Sequence, residues 1–209
     1  MTTATAPTPT TDRTDEVEIA EFLAQDSVEA LAHGGYLAGH DGNLIVRQLR
    51  RPQLRKALEH SICYTARPDP DAFYRKFNED RSDWHRRRAQ SIRDQCALCP
   101  VRAACAELAL REEDAHGVHG GLSEEKLAAR LTSQKPRLEQ ARAADTQAVR
   151  AQADRLKAAA DVQRIALMYL GSTAAETRAK NNDAVRAAVQ RRDTLVAAHR
   201  LTSGWVEAA

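Results

Sequence analysis

The chain has 209 residues, and its 31 Lys and Arg against 29 Asp and Glu give a formal net charge of only +2. This total charge does not mark a membrane-bound or nucleic-acid-coated protein. Hydrophobic residues make up 43% and aromatic residues 4%, and Ala carries much of the hydrophobic share, so the core is thin and an enzyme is not expected. No run approaches the roughly 18 apolar residues of a membrane span. We therefore expect a cytoplasmic protein whose thiols stay reduced.

The N-terminal half predicts short helices separated by turns. Residues 1–16, rich in Thr and Pro, predict a disordered tail. Residues 17–131 form the first predicted domain. Within it, apolar spacing predicts helix from Glu16 and again over Leu44–Leu58. The stretch ARPDPDAFY after Cys63 predicts a loop, and a polar helix over about Glu79–Asp94 leads to Cys96.

Two further helices are predicted before the C-terminal part. Pro100 follows Cys99 directly, and because proline is favoured at the first helical position, we predict a helix from Pro100 to about Glu113. The glycines of HGVHGG end it, and Ser123 is the expected cap of the next helix, with two glutamates in its first turn. Residues 132–136 are predicted to be a linker.

The C-terminal part, residues 137–209, is Ala-rich and basic. Residues 135–209 hold 13 basic and 8 acidic side chains, a net charge of +5. A long helix is predicted over Leu138–Leu170 with Gly171 as its stop. No strand-like alternation of any length occurs, so the predicted fold class is all-α.

Two interpretations of the last third remain open. A short helix over Thr173–Lys180, a turn at Asn181–Asp183 and a longer helix resemble a helix-turn-helix that binds DNA. The DNA contacts would then come from Arg178, Lys180, Arg186, Arg191 and Arg192. The alternative is a helical hairpin or a coiled-coil arm that forms a homodimer, because Val149, Leu156 and Leu170 fit a sparse heptad.

All four cysteines lie in the predicted first domain, with the spacing C-x32-C-x2-C-x5-C. They are Cys63, Cys96, Cys99 and Cys105. Unrelated free thiols, a structural zinc site and an iron–sulfur cluster are all compatible with this spacing. Free backbone N–H groups near Cys99–Arg102, at the start of a helix, would favour an anionic group there.

Three segments in order, ICYTARPDPDAFY, CALCPVRAACAELAL and GVHGGLSEEK, resemble the WhiB-like family of actinobacterial iron–sulfur transcription regulators. The resemblance covers roughly Ser61–Arg130. It implies a small helical domain in which the four cysteines ligate a 4Fe-4S cluster. It also implies a regulator whose cluster responds to oxygen or nitric oxide and whose apo form can oxidise to disulfides. A thiol–disulfide reductase activity of that apo form is a second hypothesis.

The resemblance also implies a partner, region 4 of the RNA polymerase sigma factor, docked beside the glycine turn. That turn consists of Gly117, Val118, His119, Gly120 and Gly121. The family has Trp where this chain has His119, and the 32-residue interval before Cys96 is longer than in typical members. His119 either supplies a protonatable donor for docking or has no task in it. Arg86, Arg87 and Arg88 are either a solvated helix face or a nucleic-acid contact.

Overall fold

The computed structural model describes residues 28–39, 44–168, 171 and 173–202. Within these ranges it has nine α-helices and no strand, which confirms the all-α prediction. The predicted tail over residues 1–16 and the helix predicted from Glu16 lie outside the described residues. In the described part of the chain, no helix combines the length and apolar composition of a membrane span.

The helices follow one another with short connections. Their bounds are α1 Val28–His33, α2 Leu44–Gln48, α3 Arg51–Leu58, α4 Ile62–Ala66, α5 Arg81–Ser91, α6 Arg102–Glu112, α7 Glu124–Ser133, α8 Lys135–Leu167 and α9 Ala175–Thr202. A 3-10 turn over Pro70–Ala72 interrupts the loop after α4, and a π-helical turn over Ile92–Cys96 continues α5.

The helix predicted from Pro100 begins two residues later, at Arg102. Val101 has φ −120° and ψ 27°, which is not helical, and the Arg102 N–H donates to Cys99 O at 3.3 Å. Pro100 therefore belongs to a tight turn after the CxxC rather than to the helix itself. This turn keeps Cys99 outside the helix and leaves Cys105 in the first turn of α6.

The predicted linker over residues 132–136 is helical almost throughout. Helix α7 extends to Ser133 and α8 begins at Lys135, with only Gln134 between them. Pro136 stands in the first turn of α8, where the missing N–H has no intrahelical partner to lose. The C-terminal part therefore leaves the first domain without an irregular segment.

Three buried clusters form the core. The first joins α1–α3 to α6 and includes Cys99, Val101 and Leu108. The second contains Phe73, Trp84, Cys96 and Val118. The third joins α6, α7 and α8 through Ala109, Leu110, Leu127 and Leu138. Cys99 thus belongs to the first cluster and Cys96 to the second, so the CxxC connects the two.

A buried ion network fastens α8 to the first domain. The Arg111 guanidinium of α6 is fully buried and donates to Glu107 Oε1 at 2.8 Å and to Asp145 Oδ2 of α8 at 3.2 Å. Its remaining donors reach the carbonyls of Leu49 and Arg47, each at 2.7 Å. The groups that accept from Arg111 are carboxylates and backbone carbonyls, so removing one carboxylate would leave a buried charge short of its partner.

The predicted helix-turn-helix is wrong, because α9 is continuous from Ala175 to Thr202. Asn181, Asn182 and Asp183 stay helical; such residues cost only up to about 0.7 kcal/mol each relative to Ala. Packing against α8 offsets this cost. The half-buried positions of α9 include five apolar residues, Val185, Ala188, Val189, Leu195 and Val196. Helices α8 and α9 therefore form a hairpin, which was the alternative interpretation.

Candidate cysteine-lined metal centre

Each cysteine is positioned by a different local structure. Cys63 lies in α4, whose first turn is capped by Ser61 Oγ accepting from the Tyr64 N–H at 3.1 Å. Cys96 ends the π-helical turn, and Cys99 follows with its N–H donating to Cys96 O at 3.2 Å. Cys105 lies in α6. Cys96 and Cys99 are buried, Cys105 is partly buried and Cys63 is exposed, so the site opens to solvent at Cys63.

The four cysteines lie near enough for their charges to affect one another's pKa. Burial, then the charge of Cys99, raises the pKa of Cys63. Burial raises the pKa of Cys96 to about 11 and that of Cys105 to about 12, and in both cases the neighbouring cysteines raise it further. Four clustered thiolates repel one another unless a cationic core lies between them. Metal or cluster binding must therefore release protons and becomes more favourable as pH rises.

A two-residue turn closes over the site. His119 and Leu122 exchange backbone hydrogen bonds of 3.2 and 2.9 Å, and Gly120 and Gly121 between them have φ of +56° and +76°. Positive φ at both central residues defines a type I′ turn, which favours glycine. The Gly121 N–H donates to the Cys96 sulfur and the Gly120 N–H to the Cys105 sulfur, and each bond lowers the pKa of its thiol.

The backbone N–H donors to the sulfurs come from this turn, whereas the sequence predicted them at the start of α6. The N–H groups of Arg102 and Ala103 are taken by Cys99 O at 3.3 Å and Leu37 O at 2.9 Å. The Arg102 side chain still contributes, because its charge lowers the pKa of Cys96. The anion-stabilising backbone groups therefore come from the glycine turn, about twenty residues further along the chain than predicted.

The acidic first turn of α7 holds the glycine turn in place. The Gly117 N–H donates to Glu124 Oε1 at 2.9 Å. The backbone N–H of Glu125, the Ser123 hydroxyl and Arg88 hold the pKa of the Glu125 carboxyl at about 2. Ser123 is the helix cap by position, but its hydroxyl bonds Glu125 rather than an orphan N–H. Of the two glutamates predicted to suit the helix dipole, Glu124 thus also holds the turn, and Glu125 pairs with Arg88.

Gly120→Ala is expected to destabilise the protein far more than Gly35→Ala. A Cβ at Gly120 would lie 2.3 Å from Arg102 O, whereas one at Gly35, where φ is also positive at +76°, would meet nothing within 4 Å. Both variants incur the left-handed strain of about 1–2 kcal/mol, and only Gly120→Ala adds the clash. Urea unfolding of the two apo proteins measures the difference; equal midpoints would contradict the packing described for this turn.

The predicted docking turn has less free surface than its sequence implies. Gly117 and Val118 are buried, and Val118 packs in the cluster with Trp84 and Cys96. The His119 ring is mostly covered, with Nε2 2.8 Å from His116 O and 3.3 Å from Asp114 Oδ2. His119 therefore braces the turn internally, which neither sequence interpretation anticipated.

Exposed apolar side chains stand next to the cysteines in the chain. Leu98 stands inside the CxxC and is 79% exposed, and Tyr64 follows Cys63 and is 60% exposed. Tyr74 is also exposed in part. The burial of the rest of the residue raises the pKa of its hydroxyl, and the charges of Asp114, Cys105 and Cys63 raise that pKa further. We call these three exposed side chains, Tyr64, Tyr74 and Leu98, the apolar mouth of the site.

Two arginines of α5 have structural roles that the sequence pattern does not indicate. Arg87 donates to Glu79 Oε1 at 2.9 Å and to Tyr74 O at 3.0 Å, and Arg88 donates to Glu125 Oε2 at 2.9 Å. Both guanidinium groups lie over the buried Trp84 ring. Of the three arginines, only Arg86, paired with Asp83, is on the exposed face. Two of the three candidate nucleic-acid contacts are therefore structural.

The predicted DNA-contacting residues all lie on α9 but not on one face. Since successive residues of a helix turn by about 100°, Arg178, Arg186 and Arg192 share one side, and Lys180 and Arg191 lie largely opposite. Ion pairs join Lys180 to Glu176 at 2.7 Å, and Arg192 to Asp193 at 2.6 Å. Arg186 pairs with Asp183.

All four cysteines are free thiols, so the disulfide expected for an oxidised form is not present in this structure. Over the described ranges, no group of three or more His, Cys, Asp and Glu side chains has the spacing that holds a single metal ion.

The described chain is thus an all-α protein with a thiol-lined site under a glycine turn. The family model described as transcription factor WhiB matches residues 58–129, about a third of the chain. The match spans α4 to α7, includes all four cysteines and confirms the resemblance read from the three motifs. Residues 58–129 are therefore similar to WhiB transcription factors. Neither a curated protein nor a solved structure matches the chain.

Proposed function

We propose that the protein is a transcription regulator that binds a 4Fe-4S cluster through Cys63, Cys96, Cys99 and Cys105. In this proposal the state of the cluster controls contacts with the RNA polymerase sigma factor, with DNA, or with both. Loss of the cluster to oxygen or nitric oxide is the signal. When bound, the cluster supplies one-electron redox chemistry and reactivity toward these gases.

The observation that carries this proposal is the pairing of the thiols with the glycine turn. Four mutually interacting thiols supply the full donor set for such a cluster. The N–H groups of Gly120 and Gly121 bond two of the sulfurs, and such bonds strengthen when the sulfur carries negative charge. The residues present therefore fit the cluster.

The hydrogen bonds from Gly120 and Gly121 to the sulfurs would couple the state of the cluster to the protein surface. Losing the cluster returns the sulfurs to neutral thiols, which weakens their hold on the turn. It also removes the common anchor of α4 and α6. The apolar mouth formed by Tyr64, Tyr74 and Leu98 would then lose its arrangement. We propose this mouth as the surface that docks sigma factor region 4.

Leu98→Ser is expected to weaken binding to sigma factor region 4 at least about tenfold, because a buried Leu contributes about 1.5–3 kcal/mol. Leu98 is 79% exposed in the free protein, so the substitution leaves the fold and the cluster spectrum unchanged. Leu156→Ser on α8, at 65% exposure, is the matched control. Calorimetry with cluster-loaded protein measures both affinities, and equal affinity for the two variants would remove this surface from the proposal.

The hairpin is proposed as the DNA-binding part because residues 135–209 carry a net charge of +5. Replacing Arg191 and Arg192 together by Ala is expected to lower DNA affinity. If both side chains contact phosphates, it also flattens the slope of log affinity against log salt by roughly 2, at about 0.9 per phosphate.

The matched control for this prediction removes equal charge from the first domain, by Arg47→Ala with Lys56→Ala, both exposed. An arm that only dimerises would instead change the oligomeric state, measured by sedimentation, and leave the salt slope per protomer unaltered. Equal slopes for the two double variants would contradict DNA binding by α9.

A further inference from the structure

Trp84 is a buried side chain with an unused hydrogen-bond donor. It is only 2% exposed and is the largest of the fully buried side chains. Its indole Nε1 is buried and has no hydrogen-bond partner. Because a buried N–H without an acceptor carries a desolvation penalty, native proteins rarely leave one without a structural or functional reason.

The surroundings of Trp84 point to the cysteine site. Its cluster contains Phe73, Cys96 and Val118, with Ala72 and Ile92 packed against it. Only Cys96 among these side chains offers an acceptor, its sulfur. Val118 belongs to the turn that bonds the same sulfur through Gly121. The orphan donor thus shares a cluster with one proposed ligand and with the turn above it.

Two cations hold the ring and strengthen its donor. The Arg87 and Arg88 guanidinium carbons lie 4.8 and 5.8 Å from the ring centroid. Carboxylates hold both arginines, Glu79 for Arg87 and Glu125 for Arg88. Positive charge over the ring face draws electron density from the indole and polarises its N–H. The two arginines therefore fix the ring in place, and the polarised indole N–H favours an anionic acceptor.

We propose that the Trp84 indole N–H donates a hydrogen bond to a sulfur of the cluster-loaded site and so tunes the cluster. This inference rests on the proposed function, because the acceptor is a sulfur that becomes anionic only when the cluster is bound. A donor to a cluster sulfur stabilises the reduced, more negative state and raises the reduction potential. Helix α5 lies within the long interval between Cys63 and Cys96, so that interval supplies the indole.

The hydrogen bond is tested in a Trp205→Phe protein, which leaves Trp84 as the only tryptophan. Ultraviolet resonance Raman spectra of the apo and cluster-loaded forms report the indole N–H directly, with iron and sulfide measured on the same samples. We expect the indole band to move to its hydrogen-bonded position on loading. A loaded sample with an unchanged band overturns this inference alone, whereas failure to take up iron and sulfide overturns the proposed function and this inference with it.

The tuning is tested with Trp84→Phe, for which we expect a more negative reduction potential than in the wild type. Phe73→Leu is the matched control, because Phe73 packs in the same cluster without an N–H. A potential unchanged in Trp84→Phe, or shifted equally in both variants, would assign Trp84 to packing only and overturn its role as a donor.

Discussion

Cys63→Ala protein purified without oxygen is expected to contain no cluster while its apo form keeps wild-type stability. Cys63 is exposed, so its replacement removes little packing, but it supplies one of only four thiols. A site with three thiolates and an open position is labile. Iron and sulfide analysis and the visible spectrum measure the loss, and thermal unfolding measures the apo fold.

Thr65→Ala is the matched control for that variant, because Thr65 is exposed in the same helix and carries no sulfur. It should load as the wild type does. A Cys63→Ala protein that keeps the wild-type spectrum and cluster lifetime in air would show that Cys63 is not a ligand.

Asp145→Ala is expected to destabilise the apo protein by about 3–5 kcal/mol, because it leaves the buried Arg111 guanidinium short of a counter-charge. Asp145 accepts from Arg111 Nη1 at 3.2 Å and from the Arg51 N–H at 3.1 Å, so its loss also orphans a donor at the start of α3. Urea unfolding measures the change.

Asp161→Ala, on the same helix, is the control. Asp161 pairs with Arg164, which is 62% exposed, and such pairs contribute about 1 kcal/mol or less. Similar losses from the two variants would mean that the buried network does not fasten α8 to the first domain.

The CxxC and the glycine turn could be predicted from the sequence because their signals are local, whereas the assignment of the four cysteines as ligands stays a prediction that rests on the family resemblance. A CxxC and a Gly-Gly pair dictate short-range geometry through spacing and φ alone. The all-α fold likewise follows from apolar periodicity, and the helical hairpin was one of two interpretations open for the last third.

Other features depend on contacts that no local pattern encodes. The pairing of Arg111 with Asp145 joins residues 34 positions apart. The helix over Asn181–Asp183 persists because α9 packs on α8, and this tertiary contact overrides the local turn signal. The orphan N–H of Trp84 becomes visible only once α5 is packed against Cys96 and Val118.

The identity of the bound group decides between a cluster-based regulator and a zinc-stabilised module. Protein purified anaerobically should be brown and should contain about four iron and four sulfide per chain, since four thiolates complete one 4Fe-4S cluster. Colourless protein that carries zinc, or protein without iron and sulfide after anaerobic reconstitution, would contradict cluster binding by these four cysteines.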